Sequence, residues 1–235
     1  TNNNDRYMLT YVWSAANVNN ESMKEFAEFY KTIRNSNYCS QTPLKDQNVG
    51  VYAVLEGRSA IAFSGSWGVA AIDTDYPEKR DVIGVAAAPT KDGSPMHATS
   101  GGWNLVVDAK AKHPTEAGQW IEYMLGDTSD PSKVADFFVA SNFSKFTTRK
   151  SVSDYLVANT AASNDERVQT IQSDIMPYVV AEPTYAWEIF QYGLNAFDDI
   201  AINGTDIDTA FNDMEALINQ YIADNNLAGK NPRAK

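Results

Sequence analysis

Aromatic side chains set beside glycines and small hydroxyls are the residues of this chain whose types and spacing suit chemistry at a surface. In residues 60–72, AIAFSGSWGVAAI, an apolar run stops at Ser64, Gly65 and Ser66, and Trp67 follows at once. Trp103 follows Gly101 and Gly102, while Tyr185 and Trp187 follow Pro183 within about one turn. An indole offers roughly 150–250 Å² of flat area and one N–H donor, which suits stacking on the apolar face of a sugar ring. Neighbouring glycines admit a ligand close to backbone N–H groups, and serine hydroxyls can bond its polar groups. Each tryptophan has a plainer reading as a core side chain. For Trp67 the ligand reading leads, Trp187 leaves both open, and for Trp103 the core reading leads. Trp120, in the middle of a helical stripe, reads as core, and Trp13 is unassigned.

Covalent, metal and cofactor chemistry find less support. The glycine-containing stretches GSWG and SGGW lack both the lysine and the G-x-G-x-x-G spacing of a phosphate cradle. No G-x-S-x-G elbow occurs. Cys39 is the only cysteine, so it forms no internal disulfide, and with His97 and His113 it makes no zinc-ligand spacing. No catalytic residue, metal or cofactor is therefore assigned. A carboxylate pair for sugar hydrolysis could come from Glu182, Glu188, Asp198, Asp199, Asp206 or Asp208. Four of these fall at expected helix ends, where acidic residues cap and solvate, so a glycan-acting enzyme is the second reading.

The elements that must position these residues follow from caps and periodicity. Ser22 to Glu25 reads as a capping box opening a helix with Met23, Phe26, Ala27, Tyr30 and Ile33 on one face. A helical piece over about 48–56 closes at Gly57. Runs 60–63, 82–87 and 100–107 read as strands, and a short helix starts at Trp67. Further helices follow Pro114 (Ala117, Trp120, Ile121, Met124), Pro131 (Val134, Phe137, Phe138) and Asp165 (Val168, Ile171, Ile175). Two more follow Pro183 (Trp187, Phe190, Leu194, Phe197, Ala201) and Asp206 (Ile207, Phe211, Met214, Ile218, Tyr221). Strands alternating with helices early and helices alone late argue an α/β protein.

Composition bounds the partners. The 235 residues, 43% of them hydrophobic and 21% charged, are enough for one large domain or two modest ones. Thirty acidic side chains against 19 basic give a net charge of −11, and no Lys/Arg cluster is available to release counterions from a nucleic acid. No apolar run approaches the roughly 20 residues of a membrane-spanning helix.

Four blocks in order carry a family resemblance: LEGRSAIAFSGSW, IGVAAAPTKDG, the opening GGWNLVV, and the helix beginning HPTEAGQWIEYML. They resemble the family 1 extracellular solute-binding proteins of ABC importers, whose pattern is a Gly-Lys/Arg-x-Ala-Met-x-x-x-Gly-x-Trp strand and turn. A Gly-x-x-x-x-Pro strand, a Gly-Gly-x-x-Ile/Val strand and a Pro-x-x-Ala helix complete it. Ile61 stands where methionine is usual, a volume-conserving change. The blocks and the helices after them span about residues 20–225, and the maltose- and oligosaccharide-binding members are the most similar.

The resemblance implies a periplasmic-binding-protein-like (type II) α/β fold of two lobes, of which this chain corresponds to the later part, with lobe 1 largely missing. Residues 1–96 and 153–235 would build lobe 2, and 97–152 would cross the hinge into lobe 1 and return. It implies a non-enzymatic component that holds a carbohydrate in the inter-lobe cleft and delivers it to the permease subunits. The ligand-binding residues would be Gly65, Ser66, Trp67, Tyr185 and Trp187, with Gly102 and Trp103 near the hinge and Glu182 as a polar contact. A binding protein for a polyamine or iron is the alternative within the same superfamily. The expected location is the periplasm or, in a Gram-positive source, the cell surface, with membrane attachment only through a lipid anchor that this chain lacks.

Overall fold

Several helices of this chain start at a side chain that accepts from the first free N–H groups of the helix, and the computed structural model shows those caps in place. Asp130 accepts from Ser132 N–H at 2.9 Å, Asp165 from Arg167 N–H at 2.9 Å, and Asp206 from Thr209 N–H at 3.0 Å. The structure describes residues 8–37, 39, 50–160 and 164–232. In chain order the helices are α1 (Glu21–Arg34), α2 (Tyr52–Leu55), α3 (Trp67–Asp75), α4 (Pro114–Leu125) and α5 (Pro131–Ala140). They continue with α6 (Lys150–Asn159), α7 (Glu166–Thr170), α8 (Trp187–Ala201) and α9 (Ile207–Asp224). Strands β1 (Thr99–Ser100) and β2 (Val180–Ala181) pair in parallel, Thr99 opposite Val180 and Ser100 opposite Ala181.

The chain divides into two compact units, one of Thr1–Asn48 with Pro183–Lys235 and one of Val49–Glu182. In the first, α8 and α9 face each other through Ile189, Phe197 and Ile200 on one side and Phe211, Met214 and Ile218 on the other. Ala27 of α1 joins them, with Leu9 and Val18 from the segment before it. That segment is pinned to α9 by polar contacts: Val18 and Asn19 N–H both donate to Glu215 Oε1, at 2.7 and 2.8 Å, and Ala16 N–H donates to Asn219 Oδ1 at 2.8 Å.

In the second unit the main core joins Val134, Ala135 and Phe138 of α5 to Val152 and Leu156 of α6, Val168 of α7, and Val69 of α3. A smaller cluster sets Ile72 of α3 against Val51 and Leu55. Helix α3 is thus held on two sides. A third tie is ionic. The Arg167 guanidinium, almost fully buried, bonds Asp73 of α3 at 2.8 Å and Asp165 at 2.6 Å, and Arg80 reaches Asp165 at 2.8 Å.

Several expectations need correcting. Asn20, not Ser22, caps α1, accepting from Met23 N–H at 3.0 Å, and Ser22 lies inside the first turn. The helix expected after Pro183 starts at Trp187, so its buried side is Ile189, Gly193, Ala196 and Phe197 rather than a stripe through Trp187 and Phe190. The runs 60–63 and 82–87 are not strands, and 100–107 contributes only Ser100. Their apolar side chains include the exposed Ile61, Phe63, Val82 and Val106, and they find no ladder partner among the described residues. Helix α6 and strand β2 were not expected, and the expected helix over 48–56 is reduced to α2, its residues 48 and 49 lying outside the described set. Helix α4 begins at Pro114 and ends at Gly126 as its signals require, yet buries none of its residues. Trp120 is 56% exposed, which overturns its reading as a core side chain.

Candidate functional site

The turn that begins α3 is built around a missing side chain. A Cβ placed on Gly65 would lie 1.8–2.3 Å from three carbons of the Trp67 six-membered ring, so the indole rests directly against the Gly65 backbone. Gly68 N–H donates to Gly65 C=O at 3.0 Å and Val69 N–H to Ser66 C=O at 3.2 Å, which closes the first turn tightly. Ser66 does not cap the helix; its hydroxyl reaches across to the Ser144 carbonyl at 3.4 Å. Trp67 is 61% exposed. A large indole held by glycine contact, on a helix tied down on three sides, is a fixed platform rather than a core plug.

A second group gathers at the β1–β2 pair. Glu182 N–H donates to Ser100 C=O at 3.2 Å, which extends the parallel pairing and brings the Glu182 side chain over Gly101. A Cβ on Gly101 would meet Glu182 Oε2 at 1.7 Å, so the glutamate carboxylate lies directly against the Gly101 backbone and would have to swing aside for any larger residue. A Cβ on Gly102 would meet nothing, so packing places no demand on that position. Trp103, which the sequence leaned towards burying, is 83% exposed.

Sequence reasoning missed the loop that touches both groups. After α5 the backbone takes two successive left-handed residues, Asn142 (φ 50°) and Phe143 (φ 54°). Each such residue costs on the order of 1–3 kcal/mol, and burial of the Phe143 ring in the core offsets it. The loop then presents the Ser144 carbonyl to Ser66 and sets Lys145 Nζ 5.2 Å from the centre of the Trp103 ring. A cation between two aromatics, as in FSKF, was the signal available for Lys145.

The first unit carries its own aromatic group. Tyr185, just before α8, packs 6.4 Å from Trp13 and 6.0 Å from Phe190, and Phe190 lies 6.2 Å from Trp187. Trp187 is the first residue of α8 and is 69% exposed. Trp13 holds a left-handed backbone (φ 56°), uncommon for a bulky residue, in a turn stapled by Thr10 Oγ1, which accepts from Ser14 and Ala15 N–H. The structure thus brings Gly65, Ser66 and Trp67 together, sets Glu182 against Gly101 two residues before Trp103 and leaves Gly102 without a close neighbour, and places Tyr185 and Trp187 in one aromatic row with Trp13.

Carboxylates of the second reading have structural partners. Asp206 caps α9, Asp199 accepts from Asn203 at 2.7 Å, Glu188 accepts from the Tyr221 hydroxyl at 3.2 Å, and Asp208 pairs with Lys24 at 2.6 Å. The Lys24 hydrogen bond holds the Asp208 carboxyl below its ordinary range. Among the described residues no group of three or more His, Cys, Asp or Glu side chains is placed to hold a metal ion.

Comparison with known proteins places these features in a family. A family model described as bacterial extracellular solute-binding protein matches residues 3–130. A curated probable ABC transporter-binding protein of Deinococcus radiodurans is 48% identical over 44 residues, 19% of this chain and 10% of that protein. Among solved structures, the sugar-binding protein MalE of the phytopathogen Xanthomonas citri superimposes with a TM-score of 0.70 at 20% identity, over 94% of this chain and 54% of that one. An ABC transporter solute-binding protein of Thermotoga lettingae, bound with α-D-tagatose, also gives 0.70 at 20% identity, over 91% and 52%. The fold is that of type II periplasmic binding proteins, and the chain spans about half the length of these two structures.

Proposed function

The chain belongs to the bacterial extracellular solute-binding protein family, the substrate-binding kind of ABC transporter protein, and from that premise we propose that it binds a carbohydrate. The ligand is an oligosaccharide, held in the cleft between the two lobes of the fold by aromatic stacking and hydrogen bonds and handed to the permease subunits. The observation that carries this reading is Trp67, an exposed indole fixed by Gly65 and by a helix tied to both apolar clusters and to Arg167. Ser66, Gly102, Trp103 and Glu182 complete one set of contacts, and Tyr185 and Trp187 supply a second. Residues 1–96 and 153–235 form lobe 2, and 97–152 cross to lobe 1. The names of the two structural neighbours, one sugar-binding and one holding tagatose, support the choice of a sugar over a polyamine or iron.

Affinity, not turnover, is the output. Four of the six candidate carboxylates, Glu188, Asp199, Asp206 and Asp208, hold helix ends or neighbouring side chains, which supports binding over catalysis. The protein works outside the cytoplasmic membrane, in the periplasm or anchored at the cell surface by a lipid. Titration with a panel of oligosaccharides, followed by tryptophan fluorescence, tests the assignment. A saturable change with at least one oligosaccharide, lost in Trp67→Ala, is the expected result. Silence across the panel together with a response to an amino acid, a polyamine or ferric iron would overturn it.

A further inference from the structure

We infer that Lys145 and Trp103 form a subsite for an anionic saccharide, a sugar ring that carries a carboxylate. The inference rests on the carbohydrate-binding reading and narrows its substrate class. Lys145 is partly buried and makes no ion pair among the described residues, in a chain with 30 carboxylates to 19 basic side chains. A partly buried ammonium without a counter-charge, in so acidic a protein, is available to pair with an anion that a ligand supplies. The same lysine lines a cavity of about 100 Å³ with Thr147, Ser153 and Gln172, and no carboxylate is among the lining side chains. Beside the apolar Phe143, Phe146, Leu156 and Met176, its polar lining residues carry an ammonium, two hydroxyls and an amide, groups able to donate to the acceptor-only oxygens of an ionised carboxylate. The volume suits a carboxylate group rather than a whole sugar ring.

The geometry beside that cavity supplies the rest of the ligand's needs. Lys145 Nζ lies 5.2 Å from the centre of the Trp103 ring, and that ring is 83% exposed. A sugar stacked on Trp103 would carry its ring substituents within reach of the lysine. The two left-handed residues before it, with Phe143 buried, fix the loop that presents the ammonium. The subsite therefore selects for a uronate over the neutral sugar of the same ring.

Isothermal titration with matched pairs tests this: cellobiose against cellobiouronate, and galactobiose against digalacturonate. At low salt the acidic member should bind roughly tenfold more tightly, the scale of one charge-assisted hydrogen bond. The preference should shrink in high salt, disappear in Lys145→Gln and return in Lys145→Arg, with urea unfolding midpoints matching the parent in both variants. Equal affinity within each pair, or a preference that survives Lys145→Gln, overturns the subsite while leaving carbohydrate binding intact. Failure of both members of every pair, and of the wider oligosaccharide panel, overturns the carbohydrate reading and the subsite with it.

Discussion

On the proposed carbohydrate-binding reading, adding a single methyl group at Gly65 should impair sugar binding without substituting any residue whose own side chain contacts sugar. The Gly65→Ala Cβ would fall 1.8–2.3 Å from the Trp67 ring, a separation no packed structure tolerates, so the indole must swing away. The Gly65 backbone lies outside the left-handed region, so alanine meets no conformational barrier of its own. The cost to the fold is that of an altered tryptophan rotamer, of order 0.5–1.5 kcal/mol. The cost to binding is set by the platform that is lost. Trp67 exposes 61% of its surface, and a sugar stacked on one face covers about half of that exposed part, roughly 50–75 Å². At about 25 cal/mol per Å² the contact is worth about 1–2 kcal/mol, or roughly 5- to 30-fold in Kd.

Isothermal titration of four proteins separates the possibilities: the parent, Gly65→Ala, Trp67→Ala and the double variant. Gly65→Ala and Trp67→Ala should lose similar affinity, and the double variant should be no worse than Trp67→Ala alone, because both act through one indole. If Trp67→Ala weakens binding and Gly65→Ala does not, the glycine does not set the platform. If neither weakens binding, Trp67 carries no sugar and the reading of the turn is wrong.

Other consequences can be checked by unfolding. Replacing Arg167 by methionine leaves Asp73 and Asp165 in a buried site without their main partner, and should cost about 3–5 kcal/mol, read from urea denaturation. The Arg167 hydrogen bond, more than any other cause, holds the Asp165 carboxyl far below the usual carboxylate range. A depressed folded-state pKa contributes stability that is full above the ordinary value near ~4 and lost as pH falls through the depressed one. Asp165→Asn should therefore be less stable than the parent at neutral pH, and the gap should close only in strong acid, below about pH 4, in urea midpoints taken across pH. Asp206→Ala removes the cap of α9 and should cost about 1 kcal/mol, lowering the thermal midpoint by roughly 2–4 °C. Trp120→Ala should cost less than about 1 kcal/mol, against the about 3–5 kcal/mol of a core tryptophan, because α4 buries none of its residues.

What could be read from the sequence was local chemistry. Asp165 and Asp206 announce their helices because a cap is a contact between near neighbours, and the core stripe of α9 follows from its own period. Strands are different, because a strand exists only when another segment supplies the ladder. Runs 60–63 and 82–87 have apolar patterns that suit strands, yet without a partner among the described residues they form no strand, Val82 ends a short 3-10 turn, and Ile61 and Phe63 lie in solvent. The same limit misled the reading of Trp120. A helical stripe says which side chains share a face, and only the rest of the fold says whether anything lies against it.

The candidate site divides along the same line. Trp67 stood out because a tryptophan after Ser64, Gly65 and Ser66 is a local oddity, and the structure gives it a local cause, the absent Cβ of Gly65. Trp103 followed Gly101 and Gly102 as visibly, but its surroundings are distant in sequence: Glu182 arrives through β2 and Lys145 through a strained loop. Nothing within ten residues of Trp103 indicates either contact, so the sequence leaned towards the core. The difference is physical: a turn that shapes its own tryptophan leaves its signature in one stretch of chain. A charged group delivered from elsewhere leaves only an unexplained lysine between two phenylalanines. That lysine is where charge could make this site more selective than an aromatic surface, because stacking accepts most sugar rings and an unpaired ammonium rewards only those that bring an anion.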